Sequence, residues 1–199
     1  MKISAAMVKD LREATGAGVL DAKKTLEATN GDFDKAMEIL QAKGAVRAAE
    51  RSHREASEGV IEVYAHPGNR VGVMVEVNCE TDFVAKTTQF QELAHDLALH
   101  VAALNPRYVA SEDIPQEDLH RITEEYRIQA RAEGKPDAIV EKIVAGRLSK
   151  YYEETCLLEQ PFVKDDSVRV KDLILDTIRS TDENIIVRRF ARFELGAAE

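Results

Sequence analysis

The sequence predicts an α+β fold: a small N-terminal helical bundle, a linker, then an antiparallel sheet covered by helices, with a projecting helical hairpin. Three observations carry this expectation. Val71, Val73, Val75 and Val77 alternate along one stretch, the period-two signature of a strand with one buried face. A second alternating run, Ile61, Val63 and Ala65, precedes it across the turn-forming His66-Pro67-Gly68-Asn69-Arg70, so the two specify a hairpin. Much of the remaining chain repeats its apolar residues at steps of three and four, the period of helices that cover such a sheet.

A length of 199 residues admits one or two domains, and a hydrophobic share of 44% suffices for a core. Net charge is -9, which argues against a direct nucleic-acid partner, because such binders need a clustered cationic face to displace phosphate counterions. A protein partner or a small ligand fits better. Cys79 and Cys156 are the only cysteines, too few for a disulfide scaffold and lacking zinc-site spacing, so reduced thiols and a cytoplasmic location are expected. The stretch from Met1 to Met7 lacks an apolar core followed by a cleavage site, and no later run reaches the length of a membrane span. No membrane partner is expected.

Ser4 caps a first helix bearing Met7, Val8 and Leu11, which ends at Gly16-Ala17-Gly18. A second helix runs from about Val19 to Ala28. Asn30-Gly31 breaks the chain, and Asp32 caps a third helix with Phe33, Ala36, Met37, Ile39 and Leu40 on its buried stripe. Residues 1–45 thus form a three-helix module with a thin core, suited to recognition rather than to enclosing a reaction. Residues 46–58 read as a helical or partly helical linker. Its Arg47, Arg51 and Arg54, interleaved with Glu50 and Glu55, are expected on a solvated face.

The remaining domain spans 59–199. Past the second strand comes Glu76-Val77-Asn78-Cys79-Glu80-Thr81-Asp82-Phe83-Val84-Ala85-Lys86, at the rim of the sheet. Two readings of it stay open from the residues alone. Asp82 is a helix N-cap with Phe83 packed locally in the first turn, or the rim presents these side chains as a tool. Phe90, Leu93, Ala94, Leu97, Val101 and Leu104 then mark a long helix that stops before Pro106. A helical hairpin follows at about 114–156, opening at Ile114-Pro115 and broken at Gly134-Lys135-Pro136. Its seam is expected from Leu119, Ile122 and Tyr126 against Ile139, Ile143 and Leu148. Ser167 is expected to cap a helix carrying Val170, Leu173, Ile174 and Ile178, after which Ile185–Leu195 returns as a strand of the sheet. Arg188, Phe190 and Arg192 share a face of that strand, either as a contact surface or as an edge blunted by charge.

Several chemistries are disfavoured. Gly16 and Gly18 lie between two helices with no third spaced glycine, so no phosphate-cradling loop is present and no bound nucleotide is expected. His53, His66, His95, His100 and His120 are scattered, and neither a metal site nor any cofactor is expected. Cys79 has no orienting partner in sequence, so covalent enzyme chemistry is not expected.

Two segments carry a resemblance. Leu11-Arg12-Glu13-Ala14-Thr15-Gly16-Ala17-Gly18-Val19-Leu20-Asp21-Ala22-Lys23-Lys24 and the stretch from Glu76 to Lys86 resemble the signature segments of the translation elongation factor Ts family, the guanine-nucleotide exchange factors of elongation factor Tu. The similarity extends in order over nearly the whole chain, including Gln160-Pro161-Phe162-Val163 and Arg192-Phe193-Glu194. It implies a ubiquitin-associated-like N-terminal bundle and a non-enzymatic role in protein biosynthesis. It also implies that Thr81, Asp82, Phe83 and Val84 form the wedge that dislodges Mg²⁺ and GDP from elongation factor Tu, with release of the factor when GTP binds. Arg12, Gly16, Val19, Leu20 and Lys23, with Arg188, Phe190 and Arg192, are then expected to bind the partner.

There are departures from the family pattern. Ala22 stands where many relatives have Cys. Leu99-His100-Val101-Ala102 runs straight on to Asn105-Pro106 without the second module of the long forms, which implies a short form acting as a homodimer. Ala191 leaves no cysteine on the C-terminal strand to bridge that dimer. The rival reading is an adaptor whose bundle binds peptides or ubiquitin-like partners, and it leaves Thr81-Asp82-Phe83 without a purpose.

Overall fold

The computed structural model describes residues 3–197, except for the side chains of Ala45, Arg47, Ala48 and Ala49, so the expectation for Arg47 lies outside the described residues. The elements are α1 (Ala5–Thr15), α2 (Val19–Ala28), α3 (Phe33–Arg51), β1 (Glu58–Ala65), β2 (Val71–Cys79), α4 (Asp82–Ala85), α5 (Thr88–Leu104), α6 (Gln116–Ala132), α7 (Asp137–Thr155), β3 (Pro161–Phe162), β4 (Asp165–Arg169), α8 (Val170–Thr181) and β5 (Ile186–Glu194). The α+β class expected from sequence is what the chain adopts. Strands β1, β2 and β5 form one sheet in that order, and β3 with β4 a second, two-stranded one.

By internal packing the chain divides into two compact units. One comprises the described residues through Glu62 with Glu76–His95 and Asp172–Arg188; the other comprises Val63–Val75, Asp96–Lys171 and the described residues from Arg189 on.

In the first unit, α1 to α3 pack around Leu11, Ala22, Leu26, Ala36 and Leu40, flanked by Met7, Val8, Phe33 and Met37. Ser4 caps α1 by accepting the Met7 N–H at 3.1 Å. Asp32 accepts the Lys35 N–H at 3.2 Å, as an N-cap should. Ile39, expected on the stripe, is exposed instead. At 100° per residue it lies well outside the arc that Phe33, Ala36, Met37 and Leu40 share. Helix α3 continues to Arg51, whose side chain is not solvated but pairs with Asp182, while Arg54 reaches Glu80 at 3.5 Å.

Alternation on β2 holds: Val73, Val75 and Val77 are buried. On β1 the alternating row Ile61, Val63 and Ala65 is the exposed one, and Val60, Glu62 and Tyr64 are half-buried. Gly59, the second residue of β1, has φ +144°, and a Cβ added there would lie 2.1 Å from the Val77 carbonyl oxygen. Helix α5 buries Phe90, Leu93, Ala94, Leu97 and Val101, leaving Leu104 in its last turn exposed.

In the second unit, α6 and α7 form the hairpin, closed by Ala130, Val140 and Val144 with Tyr126, Ile143 and Leu148 beside them. Ile139 is not on this seam but exposed. It sits about 100° around the helix from Val140, which takes the place expected for it. Arg127 ties the helices by bonding Glu141 at 2.8 Å, and Arg147 does so to Glu133 at 2.7 Å. Ser167 caps no helix and lies in β4. The Asp165 carboxylate captures both its N–H, at 3.1 Å, and its hydroxyl, at 2.6 Å, a local side-chain turn that outcompetes capping.

His100 is fully buried in this unit. Its Nδ1 accepts the Val163 N–H at 3.1 Å, which places the proton on Nε2, donated to Gln160 Oε1 at 2.9 Å. Burial pushes the imidazole below its ordinary pKa, against the smaller upward pull of the Gln160 bond. The unfolded chain therefore takes up this proton first as pH falls through about 6.5, so the neutral pair's contribution is complete above that value and is lost below it. Moving from about pH 7.5 to about pH 5.5 should lower the urea midpoint of the wild type more than that of His100→Gln. Equal losses in the two proteins would remove His100 as the cause.

Candidate functional site

The site is built on the end of β2. Val77, Asn78 and Cys79 are buried, so the strand is anchored up to its last residue, and Asn78 Nδ2 donates to the Glu58 carbonyl at 3.2 Å. The chain then turns into α4, a single helical turn. Its N-cap is Thr81 and not Asp82: the Thr81 hydroxyl accepts the Val84 N–H at 3.4 Å from an extended backbone, φ -129° and ψ 153°. Asp82 is the first helical residue, where a carboxylate favours the helix N-terminus, and it pairs with Lys86 at 2.5 Å. Ala85 is buried, Val84 is half-buried and the Thr87 hydroxyl donates to the Val84 carbonyl at 2.8 Å, so the turn is closed on its own far side.

Phe83 is the exception. Its side chain is 81% exposed at the outer face of this fixed turn, which overturns local packing as its role in the isolated chain. An exposed phenylalanine forgoes about 1.5 to 3 kcal/mol of burial, available to whatever surface receives it. The buried Cys79 thiol donates to the Thr81 carbonyl at 3.1 Å. Burial, with the Glu183 charge adding to it, pushes this thiol to a pKa of about 11. Such a sulfur is protonated at neutral pH and serves as packing and a hydrogen-bond donor.

A second feature lies on the bundle. Arg12, Val19 and Lys23 come together in a groove of about 410 Å³ lined also by Ile3, Ser4, Ala5, Val8 and Lys9. Val19 is 57% and the adjoining Leu20 70% exposed, so apolar side chains lie uncovered among three cations. Gly16 does not share this groove. It ends α1 at φ +65° and lines another cavity, of about 310 Å³, beside Arg179 and Ser180. The sequence reading missed Lys9, although it lies one helical turn before Arg12 on the same face.

The strand residues are dispersed in environment. Arg188 is exposed, Phe190 is half-buried, and Arg192 is largely withdrawn, donating to the Ala102 carbonyl at 3.2 Å and pairing with Glu194 at 2.7 Å. Phe193, on the opposite strand face, is the more exposed aromatic at 74%. Among the described residues, no group of three or more His, Cys, Asp or Glu side chains could hold a metal ion, and no helix is long and apolar enough to cross a membrane.

The α+β scaffold thus carries an exposed Phe83 on a capped turn and, on its N-terminal bundle, a groove lined by Arg12, Val19 and Lys23. Residues 3–197 match the family model of Elongation factor TS, and the chain belongs to that family. It is 58% identical over 197 residues to Elongation factor Ts of Herpetosiphon aurantiacus, covering 99% of this chain and 100% of the relative. It is 55% identical to that of Carboxydothermus hydrogenoformans, covering 98% and 89%, and 56% identical to that of Moorella thermoacetica, covering 98% and 96%. Its role is that of an elongation factor in protein biosynthesis.

Proposed function

We propose that this chain is the guanine-nucleotide exchange factor of elongation factor Tu, acting in the cytoplasm without a cofactor and without covalent chemistry of its own. The observation that carries the reading is Phe83, uncovered on a turn that the fold otherwise pins. Phe83 enters the partner's nucleotide domain beside its bound Mg²⁺. Thr81 and Val84 frame the wedge, and Asp82 perturbs the ligand network of the metal. Because Mg²⁺ demands near-ideal octahedral geometry, small displacements of its shell weaken the bridge to the diphosphate. Asp82 must first leave Lys86. That exposed pair is weak, so its release costs little.

Magnitude shows that the wedge cannot act alone. Weakening GDP about ten-thousandfold requires about 5.5 kcal/mol of differential binding, beyond what one buried phenylalanine supplies. Docking supplies the rest. The groove of Arg12, Val19 and Lys23, together with the exposed Leu20 next in sequence to Val19, offers apolar contact beside cations to an acidic face of the partner. Gly16 supports this surface by shaping the turn between α1 and α2, and Arg188, Phe190 and Arg192 hold the partner elsewhere. Linkage is reciprocal: a factor that weakens nucleotide is itself weakened by nucleotide, so GTP releases it.

The chain works as a homodimer. In the second unit, Val63, Met74, Phe193 and Leu195 are large apolar side chains left exposed, a surface suited to a second copy.

Substoichiometric amounts of the chain should accelerate release of fluorescent GDP from elongation factor Tu in stopped flow. Light scattering of the same preparation should give twice the chain mass and, with nucleotide-free partner, a complex that GDP dissociates. Release at the spontaneous rate would end the exchange reading.

A further inference from the structure

The loop that closes α8, some hundred residues downstream in sequence, grips the wedge turn through two crossed carboxylates. Glu183 takes both hydrogen-bond donors of Thr81: the N–H at 3.1 Å on Oε2 and the hydroxyl at 2.6 Å on Oε1. In return Glu80 takes the Asn184 N–H at 2.7 Å. The downstream loop is itself fixed. Asp182 adopts φ +63° and pairs with Arg51, while the buried Asn184 donates Nδ2 to the Arg54 carbonyl at 2.9 Å.

A hydroxyl has one proton and two lone pairs. Because Glu183 holds the proton of Thr81, a lone pair is left directed at the Val84 N–H, the bond that caps α4. A charged acceptor makes stronger bonds than a neutral one, so the orientation of the cap is set by Glu183 rather than by Thr81 alone. Phe83 lies between Thr81 and Val84 in the chain and is 81% exposed, so its direction is set by the backbone of this turn rather than by packing of its ring.

We infer that Glu183 is a positioning residue for nucleotide exchange, acting through Thr81 to hold Phe83 at the angle required for insertion. This rests on the exchange reading above. Near-attack geometry is steep, since misplacement by about 1 Å can lower a rate about a hundredfold. The positioning residue should therefore change the maximal rate of exchange more than the affinity of docking, which the groove on the bundle provides.

The test is stopped-flow release of fluorescent GDP from elongation factor Tu over a range of factor concentrations, with the urea midpoint of each variant measured alongside. Glu183→Gln should lower the maximal rate about tenfold while the half-saturating concentration stays within about twofold of wild type. Thr81→Val, which removes the hydroxyl and leaves the Glu80–Asn184 bond, should do the same and carries the test if Glu183→Gln unfolds. Thr81→Ser, which restores the hydroxyl, should recover most of the rate that Thr81→Val loses. The double variant Thr81→Val with Glu183→Gln should be no slower than the worse single one, because both act on the same bond.

Phe83→Ala is the reference. If it slows release and Glu183→Gln does not, the positioning role is overturned while the wedge stands. Additive losses in the double variant also overturn it, since Glu183 would then act by another route. If Phe83→Ala itself runs at the wild-type rate, the wedge reading falls and the positioning role with it.

Discussion

If the chain is an exchange factor as proposed, Phe83→Ala should slow the stimulated release of GDP from elongation factor Tu by about tenfold or more and leave the stability of the free chain unchanged. The two halves of this expectation have the same cause. An 81% exposed side chain touches little in the isolated protein, so truncating it should alter the unfolding free energy by no more than about 0.5 kcal/mol. The same side chain buried in a partner is worth about 1.5 to 3 kcal/mol, which is about tenfold to about a hundredfold in a rate that depends on its insertion. Phe83→Leu keeps much of the apolar area and should fall between. Fluorescent GDP in stopped flow reads the rate, and a urea titration reads the stability. A release rate within about twofold of wild type would remove Phe83 from the mechanism, and a lowered urea midpoint would show that it supports the fold instead.

What made this site visible or invisible in the sequence follows from the range of the forces involved. The alternation of Val71, Val73, Val75 and Val77 was legible because one buried sheet face selects every second residue, whatever lies elsewhere in the chain. Helix limits at Gly16 and before Pro106 were legible for the same local reason. The exposure of Phe83 was not legible. A single aromatic past a strand end has no period, and only the packed structure says whether anything covers it.

The cap expected at Asp82 falls one residue earlier, on Thr81, since the two are adjacent and both residue types serve as caps. The choice fell to Thr81, whose two donors meet Glu183, a partner no local pattern could supply. Ile39 and Ile139 lie off the buried stripes although both are large and apolar, because the helical angle decides which residues a stripe contains.

Gly59→Ala should destabilise the chain by about 3 kcal/mol or more, as two separate terms fall on one position. The first is conformational. At φ +144° the backbone occupies a region open to glycine and strained for a residue with a Cβ, at about 1 to 3 kcal/mol. The second is steric. The added methyl would lie 2.1 Å from the Val77 carbonyl oxygen, 2.7 Å from the Asn78 Cα and 3.0 Å from the Val77 carbonyl carbon. All three are backbone atoms, so no side chain can swing aside, and overpacking of this kind typically adds about 1 to 3 kcal/mol. Relief requires β1 to retreat from β2 at the residues that anchor the wedge turn, and the Asn78 bond to the Glu58 carbonyl would lengthen with it. The damage therefore extends to function: whatever fraction stays folded should also show a reduced maximal exchange rate. Gly72→Ala is the matched control within the same hairpin. No atom lies within 4 Å of its added Cβ and its φ is not positive, so its urea midpoint should stay near that of the wild type. Gly59→Ala unfolding at the same urea concentration as Gly72→Ala would mean that β1 yields freely at this point, and that the start of the hairpin does not hold the wedge.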